Sequence, residues 1–325
     1  MKDFFERCGS SNMEEYASTK INELRSKIKD QKVICALSGG VDSTVCAVLL
    51  HKAVGKQLTC IFVDHGLMRK DEPAQVERMA QSLGMNFIHI NARNEFYQKL
   101  ENISDPEQKR KIIGETFIRV FEKESRNIGK VGFLVQGTIY PDVIESGSGD
   151  AALVKSHHNV GGLPDVVDFD EIIEPLRMLY KNEVRELGLA LDIDEALVWR
   201  QPFPGPGLGV RILDPITPQR VKTLQEADAI FREEVAAAGL AQELGQYFAV
   251  LTNVKAVGVK NGVRTHDHVV ALRAVHSGDF MTAEAAPLPH ELLGRAAHRI
   301  VNEVPGVGRV VYDITAKPPG TIEWQ

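Results

Sequence analysis

Ser38-Gly-Gly-Val-Asp-Ser-Thr44 is the stretch best equipped for chemistry, set between the apolar run Val33-Ile-Cys-Ala-Leu37 and the apolar-periodic Val45 to Leu50. Gly39 and Gly40 let the backbone approach a ligand closely, and the hydroxyls of Ser38, Ser43 and Thr44 can donate. A helix starting here aims its free N–H groups and positive dipole end at an anion. The pattern predicts strand, phosphate-binding loop and helix, and outweighs the alternative of a Gly-rich turn with a Ser/Asp cap. No Lys follows the glycines. Loops of the G-x-x-x-x-G-K-[ST] kind use that Lys on the outer phosphates, so simple hydrolysis or transfer of a γ-phosphate is disfavoured.

The elements that must position this loop alternate along the first two hundred residues. An amphipathic helix over about Met13 to Lys29 precedes the strand Val33–Leu37. A second strand is expected at Leu58–Val63, a helix over Pro73 to Leu83 stopped by Gly84, a third strand at Phe87–Ile90, a long helix over Pro106 to Ser125 and a fourth strand at Gly132–Gln136. This βαβ alternation implies an α/β fold with a doubly wound parallel sheet and a ligand site at the carboxyl ends of the strands. Asp64, Gly137 and Thr138 are therefore expected around the Ser38 loop, with Val63 at the neighbouring strand end.

Residues 140–165 break the pattern with Gly147, Gly149, Gly161, Gly162 and the cluster Lys155-Ser-His-His-Asn159. A connection that long, carrying Asp142, Glu145, Lys155, His157 and His158, reads as a functional lid rather than a plain linker. His157 and His158 are not a metal pair on this reading, since adjacent side chains diverge and no Cys or third His has ligand spacing. The Pro/Gly-dense Gln201-Pro-Phe-Pro-Gly-Pro-Gly-Leu-Gly209 marks the domain boundary. It divides the chain into 1–200, including the lid, and 201–325. The second part reads as a smaller α+β domain: a helix over Thr217 to Ala238, strands near Phe248–Val259 and His268–Val275, a helix over Pro289 to Val304 and a strand at Arg309–Ile314.

With 325 residues, 43% hydrophobic and 25% charged, the chain is ordinary for a globular protein of two domains. A net charge of -6 gives no reason to expect nucleic acid as a partner. Cys8, Cys35, Cys46 and Cys60 lack C-x-x-C spacing, and the last three fall in apolar runs, so reduced buried thiols are expected. The charged Lys2, Asp3, Glu6 and Arg7, with no apolar run of about 18 residues anywhere, predict neither signal peptide nor membrane span and a cytoplasmic location.

Five motifs then stand in one order: the Ser38 loop, Gln136-Gly-Thr-Ile-Tyr-Pro-Asp-Val-Ile-Glu-Ser146, Lys155-Ser-His-His-Asn-Val-Gly-Gly-Leu-Pro164, Pro202-Phe-Pro-Gly-Pro-Gly-Leu-Gly-Val-Arg211 and Tyr312-Asp-Ile-Thr-Ala-Lys-Pro-Pro-Gly-Thr-Ile-Glu-Trp324. The S-G-G-x-D-S loop alone resembles the pyrophosphate (PP) loop of the ATP pyrophosphatases, of the adenine nucleotide alpha hydrolase-like kind. Together the five resemble the ATP-pyrophosphatase and dimerisation domains of the GMP synthetase family, over essentially the whole chain.

The resemblance implies a two-step ligation. The 2-oxygen of xanthosine monophosphate (XMP) is adenylated by MgATP with loss of pyrophosphate, and ammonia then displaces AMP to give GMP. It further implies that ATP is held by Ser38, Gly39, Gly40, Val41, Asp42, Ser43, Thr44, Val63, Gly137 and Thr138, with Asp42 organising the loop or its Mg²⁺. Catalytic work falls to the lid residues Asp142, Glu145, Lys155, His157 and His158. XMP is assigned to Arg69, Gln246, Arg264, Lys317, Thr321, Ile322 and Glu323, and a homodimer is implied. At Gly258-Val-Lys-Asn-Gly-Val-Arg264 the chain departs from the family's Gly-Asp-x-Arg, with Asn261-Gly262 in place of Gly-Asp, which puts an Asp contact to substrate in doubt. Only about thirty residues precede the first strand, so no glutaminase domain is expected. A separate glutaminase subunit, external ammonia or a truncated fused enzyme would each fit. Two rival readings are a different ligase or tRNA-modifying member of the superfamily, disfavoured by the missing basic surface and catalytic cysteines, and a non-catalytic nucleotide sensor, disfavoured by Lys155 and Glu145.

Overall fold

Asn12 starts the first helix by accepting from the Glu15 N–H at 2.8 Å, which satisfies one of the helix's unpaired first-turn donors. The computed structural model describes residues 10–145, 169–260, 262–277 and 281–325. The first elements are α1 (Met13–Ile28), β1 (Val33–Ala36), α2 (Val41–Val54), β2 (Leu58–Asp64), α3 (Glu72–Ser82), β3 (Asn86–Asn91), α4 (Arg93–Lys99) and α5 (Pro106–Ile128). They are followed by β4 (Phe133–Val135), α6 (Tyr140–Glu145), β5 (Glu171–Ile173), α7 (Lys181–Ala190) and α8 (Glu195–Val198). The remainder is α9 (Pro218–Ala237), β6 (Gln246–Lys260), β7 (Val263–His276), β8 (Glu284–Ala285), α10 (His290–Glu303) and β9 (Val307–Asp313). The described residues of Met1–Asp64, Glu72–Ala92 and Gly114–Arg200 form one compact unit, and those of His65–Asp71, Arg93–Ile113 and Gln201–Gln325 a second.

The first unit is built on a parallel sheet of order β3-β2-β1-β4-β5. Interior strands covered on both faces read as unbroken apolar runs. Leu58-Thr-Cys-Ile-Phe-Val-Asp64 is accordingly buried throughout, whereas the edge strand β3 mixes exposed and half-buried residues. Strand order reverses at β1, so the loops after β1 and β4 part there and leave a crevice of the kind that takes nucleotides in doubly wound sheets. Helix α2 is buried almost all round, from Val41 and Thr44 to Ala53 and Val54, which anchors the loop before it to the core. Strands β5 and β8 and helices α4, α6, α7 and α8 are not legible in sequence, and α6 occupies the start of the stretch expected to be an irregular lid. Glu171, Ile172 and Ile173 run exposed, half-buried, buried over three residues, too short for a period.

The second unit centres on β7. It pairs antiparallel with β6 and β8 and parallel with β9. Residues 246–252 of β6 are buried and 253–260 largely exposed, with a register irregularity between Leu251 and Lys255 where the hairpin leaves the core. Helix α9, capped by Thr217 with Pro218 in its first turn, packs on β6, and α10 packs on α9 and β9. Phe248, Val250, Ala271, Val275, Ala283 and Ile322 form one buried cluster. Among the described residues no helix is long and apolar enough to cross a membrane.

Candidate functional site

The Ser38 loop is closed by its own hydroxyls. The Ser38 N–H donates to Ser43 Oγ at 3.2 Å, the two serine oxygens lie 3.0 Å apart, and Ser43 Oγ donates to the Gly40 carbonyl at 3.1 Å. Gly40 is the N-cap of α2 and has no side chain to bond the first helical N–H groups, so these donors face outward for an anion. Gly39 has φ +82°, and a Cβ there would lie 2.9 Å from Val76 Cγ2; both the conformation and the space call for glycine. Gly137, at the end of β4, lies across the crevice, and a Cβ on it would come within 3.3 Å of the Asp42 carbonyl carbon and the Ser43 nitrogen. Thr138 is buried and donates to Glu174 Oε1 at 2.5 Å, while Val63 is buried within β2 opposite Ile90. Asp64, at the end of β2, faces His89 at 3.7 Å.

Two cations distant in sequence, Lys181 and Arg200, touch this loop, and a third, Arg185, feels the charge of Asp42. Lys181 Nζ lies 2.6 Å from Asp42 Oδ2 across 139 residues of chain. Arg200 Nη1 donates to the Gly39 carbonyl at 2.7 Å, and its Nη2 lies 2.6 Å from the buried Glu72. Arg185 stacks on Trp199, 5.1 Å from the ring centroid, and burial lowers its pKa against the opposing pull of Asp42. A loop without its own Lys thus sits among cations delivered by α7 and by the residue following Trp199. Lys181 and Arg185 are one helical turn apart, the one signal by which sequence could have paired them. Burial, then the negative charges of Asp42 and Glu174, push the Cys46 thiol well above its ordinary pKa, so both carboxylates act on the same spot.

Among the described residues no group of three or more His, Cys, Asp or Glu could hold a metal ion. Asp42 Oδ1 is nevertheless buried with no hydrogen-bond partner among them, which fits a single protein ligand to a cation whose other ligands are phosphate oxygens and water. Asp142 lies on α6 and accepts from the Ile139 N–H at 2.9 Å. Glu145 ends that helix, and Lys155, His157 and His158 lie outside the described residues, as does Asn261.

In the second unit the residues predicted for the other nucleotide divide. Arg69 and Gln246 both approach the Pro202 carbonyl, at 3.5 and 3.4 Å, and Gln246 Nε2 also lies 3.4 Å from Glu323 Oε1. Arg69 is buried beside Asp228 at 3.8 Å, 4.5 Å from the Phe203 ring centroid. Glu323 is gripped by Arg211, a residue the sequence reading passed over. The Ile322 side chain belongs to the core cluster, and Thr321 and Ile322 offer their carbonyls to Arg273. Lys317 exchanges backbone hydrogen bonds with Ala283. Arg264 is apart from this group, exposed on the outer half of the β6–β7 hairpin opposite Val259.

The order of the parallel strands, with a Gly-rich loop and buried helix after the strand where the order reverses, defines a PP-loop domain, and the PP-loop domain family matches residues 13–116. The family described as the GMP synthase C terminal domain matches residues 233–324. A glutamine-hydrolyzing GMP synthase of Clostridium botulinum (strain Eklund 17B / Type B) is 62% identical over 98% of this chain and 62% of its own length. Those of Ruminiclostridium cellulolyticum and Finegoldia magna are 60% and 59% identical, each over 98% of this chain and 62% of theirs. This chain carries a PP-loop domain and a GMP synthase C terminal domain, is similar to these GMP synthases over 98% of its own length, and spans about 62% of theirs. Among solved structures, NMN synthetase from Francisella tularensis aligns with a TM-score of 0.47 and 16% identity, covering 61% of this chain and 78% of that one.

Proposed function

We propose that this chain is the ATP-dependent, carbon–nitrogen ligating part of a GMP synthase. ATP is bound at the Ser38 loop, the XMP 2-oxygen attacks the α-phosphorus, and the α–β phosphoanhydride bond breaks with pyrophosphate leaving. Ammonia then adds at C2, and the C2–O bond breaks to release AMP and leave GMP. The observation that carries this reading is the loop itself. It offers uncapped helix N–H groups, paired serine hydroxyls and neighbouring cations where charge builds up on a leaving pyrophosphate. Bound Mg²⁺ would neutralise phosphate charge, with Asp42 as its protein ligand. Residues 1–200 are the ATP-handling domain, with 140–165 as a lid over the nucleotides bearing Asp142, Glu145, Lys155, His157 and His158. Residues 201–325 form the dimerisation and XMP-binding domain, whose Gln246, Arg264, Lys317, Thr321, Ile322 and Glu323 bind XMP together with Arg69.

The test supplies ATP, Mg²⁺, XMP and ammonium to the purified chain and follows AMP, pyrophosphate and GMP. Equal amounts of all three, dependent on XMP, are expected, and glutamine alone should not replace ammonium. Inorganic phosphate in place of pyrophosphate would overturn the reading. Glutamine-driven turnover would overturn its ammonia-dependent part.

A further inference from the structure

Arg211 is fully buried and clamps Glu323 with both sides of its fork, Nε to Oε2 at 3.0 Å and Nη2 to Oε1 at 2.6 Å. Its guanidinium lies 3.9 Å from the Phe248 ring centroid and 5.4 Å from that of Phe203. A buried guanidinium packed against two rings is restrained, and a bidentate pair fixes the plane of the carboxylate as well as its position. Glu323 keeps 21% of its side chain exposed, so the pair has a dry side and a wet side. An ionised carboxylate has about four acceptor positions. The fork of Arg211 takes one on each oxygen and Gln246 Nε2 approaches Oε1 at 3.4 Å, which leaves acceptor capacity on the open side.

The flanking residues are held in the same way. Fully buried Arg273 donates to the Ile322 carbonyl at 2.8 Å, the Thr321 carbonyl at 2.9 Å and Asp313 Oδ2 at 2.7 Å. The Trp324 indole donates to the same Asp313 oxygen at 2.9 Å. Burial pushes the Asp313 carboxyl up, but hydrogen bonds from Thr315 together with the Arg273 charge outweigh it and keep Asp313 below its ordinary pKa. A cavity of about 510 Å³ opens against this segment, lined by Tyr312, Asp313, Thr315, Thr321, Glu323 and Trp324. A segment of small and polar residues is thereby turned into a fixed wall rich in acceptors.

We propose that Arg211 is a positioning residue for the second nucleotide: it holds the Glu323 carboxylate in place and oriented, so that its open side accepts N–H or O–H donors of the nucleotide's base or ribose. This inference rests on the assignment of XMP to Glu323 and its neighbours. Arg211 itself touches no substrate. Its loss removes the orientation of an acceptor, and its effect must pass through Glu323.

The experiment titrates XMP and, separately, MgATP into wild type, Arg211→Gln, Arg211→Lys, Glu323→Gln and the double variant Arg211→Gln/Glu323→Gln, with KM and kcat alongside. Losing a charge-assisted contact corresponds to about tenfold or more in affinity, so Arg211→Gln should weaken XMP by at least that while MgATP changes less than about twofold. Arg211→Lys should recover part of the loss. The double variant should bind XMP no more weakly than Glu323→Gln alone, because both changes remove the same acceptor. Equal losses for both nucleotides, or additive losses in the double variant, would show Arg211 to be a structural residue only and overturn the proposal. If Arg211→Gln does not fold, the Lys variant decides: XMP affinity equal to wild type overturns the proposal. Should Glu323→Gln weaken XMP while the Arg211 variants do not, the positioning role fails and the substrate-site assignment stands. An unchanged XMP affinity in Glu323→Gln would instead sink the assignment beneath it.

Discussion

Arg200→Ala removes one side chain from two partners at once. The guanidinium is 11% exposed and lies 2.6 Å from Glu72, itself 3% exposed, while its other nitrogen holds the Gly39 carbonyl at 2.7 Å. Truncation takes the Arg200 charge from a buried carboxylate and a donor from the loop's own backbone. Breaking a buried ion pair from one side costs about 3–5 kcal/mol, several times the cost of losing an exposed pair. Arg200→Lys keeps the charge but not the fork, and loses at least one charge-assisted bond, about 1.5–3 kcal/mol. The two tryptophans, Trp199 and Trp324, fall in different units, so a Trp324→Phe background makes fluorescence report on the unit that carries the loop. Urea unfolding in that background should show a midpoint shift with an unchanged slope, the signature of lost stability rather than a changed unfolded state. MgATP affinity should fall in parallel, because Gly39 would no longer be held in its left-handed conformation. A loss below about 1 kcal/mol for Arg200→Ala would mean the pair behaves as a solvated surface bridge, and the argument that tertiary cations set this loop would be wrong.

Gly137→Ala should weaken MgATP binding and cost about 1–3 kcal/mol, since the added methyl meets loop backbone that cannot rotate away; full affinity by calorimetry would refute the close approach. Burial of Lys109, outweighing the nearby Asp214, lowers its pKa to about 8. The unfolded chain, with an ordinary lysine pKa of about 10.4, therefore binds more protons above pH 8, and stability should rise from about pH 8 to about pH 10. Urea midpoints across that window should show the slope in wild type and lose it in Lys109→Met. Cys35, Cys46 and Cys60 are buried with thiol pKa values pushed up by burial, to about 12 for Cys60. In a Cys8→Ser background a thiol reagent should label nothing until denaturant is added, and rapid native labelling would contradict the packing of β1, α2 and β2.

Local pattern carried a large part of this protein. A phosphate loop is made of contiguous backbone, so Ser38 to Thr44 could be read with its strand and helix in place, and the apolar runs of β1, β2 and β4 announced a parallel sheet before any pairing was known. The five motifs pointed to the family for the same reason: each is a short unbroken stretch. What remained hidden was long-range. Lys181, Arg185 and Arg200 read as ordinary surface cations until α7 and the chain beyond Trp199 bring them to Asp42, Gly39 and Trp199. Nothing in the sequence shows that Arg211 and Arg273 are buried, and Ile322 is expected there only as a contact to XMP. Tertiary structure alone buries the two arginines, gives one Glu323 and the other Asp313, and sets Ile322 in the core. The physical reason is that a charge can be buried only beside a partner, and the chain's neighbours in sequence do not supply it.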